Sequence, residues 1–291
     1  MKDRRDLETT QAKAEILIEA LPYLQKFSGK TFVIKVGGEI LDYPEQARLF
    51  AQDIMLFRSI GIKTVLCHGG GPQISRAMSD LQIEPNFIDG HRVTDERARE
   101  VVMMVLLGQV NRKLVTLLNE FGKRAVGLSG ADGRMLEVSQ KSPELGFVGT
   151  IENVHPTLVE KLLDDGMIPV IASLGVDLTG ETYNVNADLV AGELARALDA
   201  EKYIILSATE GLYQSFTDKD SLISSIGLEE LQQLFDSGTL VEGIIPKVES
   251  ILLAIKGGVK RAHILDGRMR HSLLLEIFTQ EGIGTMISPT S

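Results

Sequence analysis

Thr31-Phe32-Val33-Ile34-Lys35-Val36-Gly37-Gly38 reads as an apolar strand that ends on a lysine and two glycines. A solvated lysine has no reason to interrupt such a run. Glycines at a strand end let backbone N–H groups approach an anion closely. A second β-prone run, Ile62-Lys63-Thr64-Val65-Leu66, leads into His68-Gly69-Gly70-Gly71-Pro72. Proline suits a first helical turn, so these glycines read as an anion nest at a helix amino terminus, where the backbone dipole adds positive potential. The pattern is one for holding phosphoryl groups, and it contains no Walker sequence.

Outward from these loops the chain alternates strand and helix. Strands are predicted at 62–67, Ala125–Leu128, Ile168–Ala172, Lys202–Leu206 and Arg261–Leu265. Helices are predicted at Gln46–Ser59, Pro72–Asp80, Val101–Leu118, Thr157–Asp164, Ala187–Leu198, Val248–Lys256 and His271–Phe278. This recurrence implies an α/β fold, a three-layer α/β/α sandwich around a mostly parallel sheet. Residues 134–153, including Gly146 to Glu152, and 174–183 combine β-prone pieces with glycine turns, and are expected to form an antiparallel flap. A lobe boundary is expected near residues 190–200, dividing 30–195 from 196–291. Ahead of the first strand, Leu7 to Lys26 has helical spacing, with Ile16, Leu17, Leu21, Leu24 and Phe27 on its apolar stripe and a bend or a new helical turn expected at Pro22. That helix either packs on its own subunit or serves as an arm between subunits.

The chain has 291 residues, 44% hydrophobic and 24% charged, which suits an ordinary globular protein with a substantial core. Its net charge of −10 gives no support to a nucleic-acid partner. Cys67 is the only cysteine, so no intrachain disulfide forms, and it reads as a buried strand residue. Met1 to Glu8 has no apolar export character, and the longest apolar stretches read as shorter than the roughly 20 residues of a membrane span. A cytoplasmic enzyme is the expectation.

Further polar residues stand where a structural role and a ligand role compete. Arg92, in Gly90-His91-Arg92-Val93-Thr94-Asp95, can make a bidentate contact with a carboxylate, while Thr94 or Asp95 caps the next helix. Asn184 and Asn186 share a face if extended, and Asp188 falls in a first helical turn, where it either caps or organises nearby lysines. Lys247 begins a helix against the macrodipole, a placement that a bound anion would explain. His68 reads equally as structural. Two lysines and two glycine nests can neutralise a phosphoryl group in flight, and a carboxylate acceptor needs no general base because it is already ionised.

Lys35–Leu41 (KVGGEIL), Leu66–Ile74 (LCHGGGPQI), GHRVTD from Gly90, VGLSGADG from Val126, NVNADLVAGELA from Asn184 and the run from His263 to Thr285 (HILDGRMRHSLLLEIFTQEGIGT) together resemble the amino-acid kinase family, in its N-acetylglutamate kinase branch. The resemblance implies transfer of the ATP γ-phosphoryl to the γ-carboxylate of N-acetyl-L-glutamate. It implies catalytic roles for Lys35, Lys247 and Asp188. Gly37 and Gly38 would bind nucleotide phosphate, and Gly69, Gly70, Arg92 and Asn184 would bind the substrate. Mg2+ would be held chiefly by nucleotide oxygens, with no dedicated protein metal site. The helix before Lys30 resembles that of hexameric, arginine-inhibited members, built as a trimer of dimers. L-arginine is then expected as feedback inhibitor near Glu281, Gly282 and Gly284, and a PII regulatory protein is admitted as a partner. No nucleic acid or membrane partner is implied. Two departures stand out: Ala208 where the family often has aspartate, and His91 before the loop arginine. The alternatives are a kinase of a related acidic amino acid or carrier-linked aminoadipate, and a catalytically weak regulatory protein that binds arginine or nucleotide.

Overall fold

A computed structural model of the chain describes residues 15, 18–214, 218–241, 243–279 and 282–290. Ile16 and Leu17 of the amino-terminal stripe, and Glu281, lie outside them. Residues 18–27 form helix α1, which runs through Pro22. Then follow β1 (Thr31–Val36), α2 (Pro44–Ser59), β2 (Lys63–His68), α3 (Gly71–Asp80) and a hairpin of β3 (Phe87–Ile88) and β4 (His91–Arg92). Next come α4 (Glu96–Met103), a π-helical segment (Met104–Asn111), α5 (Arg112–Phe121), β5 (Ala125–Ser129), β6 (Leu136–Gln140), β7 (Gly149–Val154), α6 (Thr157–Asp164), β8 (Ile168–Ala172), β9 (Leu174–Val176), β10 (Thr182–Asn184) and α7 (Ala187–Ala197). The chain continues through β11 (Lys202–Ser207), β12 (Leu212–Tyr213), β13 (Leu222–Ile223), β14 (Ser225–Gly227), α8 (Leu228–Asp236), α9 (Ile245–Lys256), β15 (Arg261–Asp266), α10 (Ser272–Phe278) and β16 (Thr285–Ser288).

Eight strands make the main sheet in the order β14-β16-β15-β11-β1-β2-β8-β5. From β15 to β5 every pairing is parallel; β16 turns antiparallel to β15. Strand alternation sends Phe32, Ile34 and Val36 into one apolar layer with Phe57 and Leu114. Val33 enters the opposite layer with Val190, Tyr203 and Ile251. Lys35 shares the face of Val33, so it replaces an apolar side chain at the layer that α7 and α9 cover. The boundary expected at residue 195 falls inside α7, and β11 beyond it pairs directly with β1. One sheet therefore serves both halves of the chain.

The flap is a four-stranded sheet, β10-β9-β6-β7. Its two hairpins are antiparallel as expected, but β6 and β9 meet in parallel through Glu137 and Val176. The helix expected at Val101–Leu118 is longer, running unbroken from Glu96 to Phe121 over 26 residues. It is long and apolar enough by length and composition to cross a bilayer, contrary to the expectation from sequence. Half of its most apolar stretch is buried, with Val102, Leu106, Val110, Leu114 and Leu118 in the core, as suits an internal helix.

Candidate active site

The parallel strands end on one edge of the sheet, and around β1 the chain crosses to β2 on one side and reaches β11 on the other. Crevices at such strand ends are where open α/β sheets bind ligands. Lys35 closes β1 here, and its Nζ lies 3.2 Å from Asp188 Oδ1 in the first turn of α7. Both side chains are largely buried, and that carboxylate oxygen has no hydrogen-bond donor among the described residues. Asn186 caps α7, accepting from the N–H groups of Asp188 and Leu189. The capping role thus belongs to Asn186 and leaves the Asp188 carboxylate free to face the lysine.

Two devices bring Lys247 to the same place. A Cβ on Gly192 would meet Ser250 O at 2.7 Å, so only glycine lets α7 and α9 cross this closely. Between them, the buried Tyr203 hydroxyl donates to Asp188 O at 2.8 Å and lies 3.0 Å from Ser250 Oγ. Lys247 stands near the start of α9 with Nζ donating to Gly243 O at 2.7 Å. Burial depresses its pKa, Asp188 opposes that, Lys35 depresses it further and Glu39 opposes again. These four charges share one cleft.

The glycine loops touch. A Cβ on Gly38 would sit 3.1 Å from Gly70 Cα and 2.7 Å from Gln73 Oε1, and Gln73 Nε2 donates to Gly38 O at 2.9 Å. Among the described residues no acceptor is bonded to the N–H of Gly37, Gly69 or Gly70. The Glu39 carboxylate folds back over Gly37, where a Cβ would meet it far inside contact distance. A protein carboxylate thus rests against one of these open nests.

Three cavities meet at Glu39. The first, about 250 Å³, is lined by Lys35, both glycine loops, Arg92, Asn184 and Asp188. Arg92 is held there by Gly71 O at 3.1 Å and Ser75 Oγ at 2.8 Å, with its guanidinium 4.7 Å from the Phe87 ring centroid. Arg92 is buried, and no carboxylate pairs with it among the described residues. Asn184 Nδ2 reaches Thr94 Oγ1 at 3.4 Å, and Thr94 donates to Arg92 O, so the two residues belong to one hydrogen-bonded wall. Asp95 is the cap of α4, accepting from Ala98 N. The second cavity, about 140 Å³, is mostly apolar, with Ile40, Tyr43, Leu206, Ala208 and Gly267. The third, about 280 Å³, contains Lys35, Glu39, Ser207 and Lys247. Ala208 lines both of these last two.

Gly282 and Gly284 lie apart, in a cavity of about 320 Å³ shared with Tyr23, Lys26, Lys202, His263 and Glu276. Lys202 Nζ is 2.8 Å from His263 Nε2, and His263 Nδ1 is 2.6 Å from Glu276 Oε1. Burial brings Lys202 down to about 7 and His263 down to about 4. The other Glu276 oxygen accepts from Ile283 N and Gly284 N.

Residues 30–266 match the model of the amino acid kinase family. The chain belongs to the amino acid kinase family. It is 50% identical to acetylglutamate kinase of Caldanaerobacter subterraneus over 94% of this chain and 93% of that one. To acetylglutamate kinase of Acidothermus cellulolyticus it is 48% identical, covering 98% and 99%. Among solved structures, N-acetylglutamate synthase of Neisseria gonorrhoeae, complexed with coenzyme A and N-acetyl-glutamate, aligns with a TM-score of 0.83 at 28% identity, over 96% of this chain and 64% of the synthase. Carbamate kinase of Giardia lamblia, at 18% identity and a TM-score of 0.66, shares the fold.

Membership in a kinase family implies use of ATP, and the residues of this cleft suit that nucleotide. The apolar second cavity can take a base, while the lysines and open N–H groups lie toward the first and third, where phosphates need charge and donors. In this family member Lys35, Asp188 and Lys247 converge, as do both glycine loops with Arg92 and Asn184. Sequence reading missed Tyr203, Gln73, Asn111 and the Lys202–His263–Glu276 chain. All occupy positions that periodicity assigns to ordinary core or helix.

Proposed function

We propose that the chain phosphorylates the γ-carboxylate of N-acetyl-L-glutamate with ATP, giving N-acetyl-L-glutamyl 5-phosphate in arginine biosynthesis. The observation that carries this is the shared cleft: Lys35 and Lys247 around Asp188, opening into a cavity whose buried Arg92 has no acid partner among the described residues. Arg92 and Asn184 hold the α-carboxylate, aiming the γ-carboxylate at the phosphoryl group. A carboxylate oxygen forms a bond to γ-phosphorus as the bridging bond to ADP breaks, and no proton moves. Lys35 and Lys247 neutralise the three equatorial oxygens, Asp188 holds the ammonium groups in register, and the N–H groups of Gly37, Gly38, Gly69 and Gly70 supply fixed donors. Mg2+ bound with the nucleotide would add neutralising charge, and Glu39 and Asp188 are the carboxylates that would orient its waters. The test is acyl-phosphate formation with N-acetylglutamate, free glutamate, aspartate and aminoadipate derivatives. A preference for any of the others overturns the assignment.

Regulation belongs to the same proposal. The cavity at Gly282 and Gly284 offers Lys202 for a carboxylate and Glu276 for a cationic end, which suits L-arginine. Ile18 and Leu21 of α1 are exposed, as an arm linking three dimers into a hexamer requires. The mass of the chain lacking residues 1–26, measured by light scattering, tests this: hexamers that persist refute the arm.

A further inference from the structure

His68 is fully buried at the end of β2, immediately before the second glycine loop, and it faces Asn111 at the close of the π-helical segment. Asn111 Nδ2 lies 2.8 Å from Val170 O, 3.3 Å from Leu128 O and 3.0 Å from His68 Nε2. Two strand carbonyls can only accept, so they fix the amide with its NH₂ toward them and toward the imidazole. His68 Nε2 must then accept, which places the ring proton on Nδ1. Nδ1–H donates to Gly69 O at 3.0 Å. Gly127 makes room for this arrangement, because a Cβ there would meet Asn111 Oδ1 at 2.1 Å.

The consequence lies in the next peptide group. C=O and N–H point opposite ways across a trans peptide, so holding Gly69 O on the core side turns the Gly70 N–H away from the core. Gly69 and Gly70 line the cavity that contains Lys35 and Arg92, and no acceptor is bonded to that N–H among the described residues. We propose that His68 and Asn111 are a positioning pair that fixes the Gly69–Gly70 peptide so that its N–H points at the reacting carboxylate and phosphoryl oxygens. Neither side chain touches substrate. Burial brings the His68 pKa down to about 4, so the neutral ring that this geometry needs persists at neutral pH. π-Helical turns inserted in α-helices are frequently found at functional sites, and here the segment ends on the amide that sets the tautomer.

The inference rests on the kinase reading above, and its test separates the two. His68→Asn keeps an amide donor where Nδ1 stands, whereas His68→Gln reaches the Nε2 position and loses the donor to Gly69 O. Asn111→Leu removes the group that fixes the tautomer. Steady-state kinetics with ATP and N-acetylglutamate should show kcat lowered about tenfold or more in His68→Gln and Asn111→Leu, since one oriented donor in such a site is worth at least that. KM should change little, and His68→Asn should stay within about threefold of the parent kcat. Equal kcat in His68→Asn and His68→Gln, or variants that lose melting temperature and keep kcat, overturns the proposal. If His68→Gln does not fold, an unchanged kcat in Asn111→Leu overturns it alone. A parent protein that makes no acyl phosphate sinks the kinase reading instead.

Discussion

Replacing Lys35 by methionine removes one of the two cations proposed to flank the transferring group and also strands a buried carboxylate. The two effects have different sizes and can be separated. At about 4 Å and an effective dielectric constant of ~20, one charge pair is worth about 4 kcal/mol, or about 10³ in rate if the charge acts only on the transition state. The stability cost arises because Asp188, 3.2 Å from the ammonium, loses its partner inside the fold. Breaking a buried pair costs about 3–5 kcal/mol, and the low end applies because Lys247 still acts on Asp188. That corresponds to a fall of roughly 6–10 °C in melting temperature. The double variant Lys35→Met with Asp188→Asn removes both charges, leaving no stranded carboxylate. Calorimetry should therefore show most of the lost stability restored, while coupled ADP-release kinetics should show kcat still depressed by about 10³. If turnover recovers together with melting temperature in the double variant, Lys35 is only a structural partner of Asp188 and the reasoning fails.

Arg92→Ala should raise the KM for N-acetylglutamate, by about tenfold or more, with kcat changed far less, because the contact proposed for it is with a part of the substrate that does not react; a collapsed kcat at constant KM contradicts this. Glu39→Gln should strengthen competitive inhibition by inorganic phosphate, since the native carboxylate lies against Gly37 and repels an anion entering there. An unchanged phosphate inhibition constant is the contrary result. For Lys202 the folded pKa, about 7, lies below the usual lysine value of 10.5. The unfolded state therefore holds more protons between those values, and folding stability from this group rises with pH across that window. Under the arginine regulation proposed for this cavity, the ligand's carboxylate needs the protonated amine, so inhibition should weaken as pH rises through about 7, and Lys202→Met should abolish that dependence.

The frame of the molecule was legible because it depends on local features. Apolar runs ending in glycine, followed by a proline-started helix, fix strand, loop and helix together, and Lys35 was conspicuous as a charge in an apolar strand. The parts that stayed hidden depend on partners distant in sequence. Tyr203 sits in Lys202–Ser207 as one more buried strand residue, and only the crossing of α7 and α9 gives its hydroxyl Asp188 O and Ser250 to contact. Asn111 in a long apolar helix looks like a mild irregularity until β2, β5 and β8 converge on it. One helix start is set locally instead. Asp95 starts α4 five residues before the apolar spacing becomes helical, because its carboxylate caps Ala98 N. The continuity of the sheet across the middle of the chain was hidden too, since parallel pairing of β1 with β11 needs residues far apart in the chain.

The charge of the cleft explains how an acidic protein can gather anions. The chain carries a net charge of −10, yet solution screens charges beyond about 8 Å at physiological salt, so ligands within the cleft respond mainly to Lys35, Lys247 and Arg92. Three cations without compensation would repel one another in a partly dry pocket. Asp188 and Glu39 offset that repulsion, but in different ways. Asp188 is tied by its backbone to Tyr203 and stays between the lysines, whereas Glu39 is a side chain folded over the nest and free to rotate away. On the proposed mechanism one carboxylate holds the cations in register through the reaction, and the other lies beside the nest until an anion arrives. Swapping these roles would fail on either side: a mobile Asp188 would let the ammonium groups drift, and a fixed Glu39 would keep ATP's phosphates out.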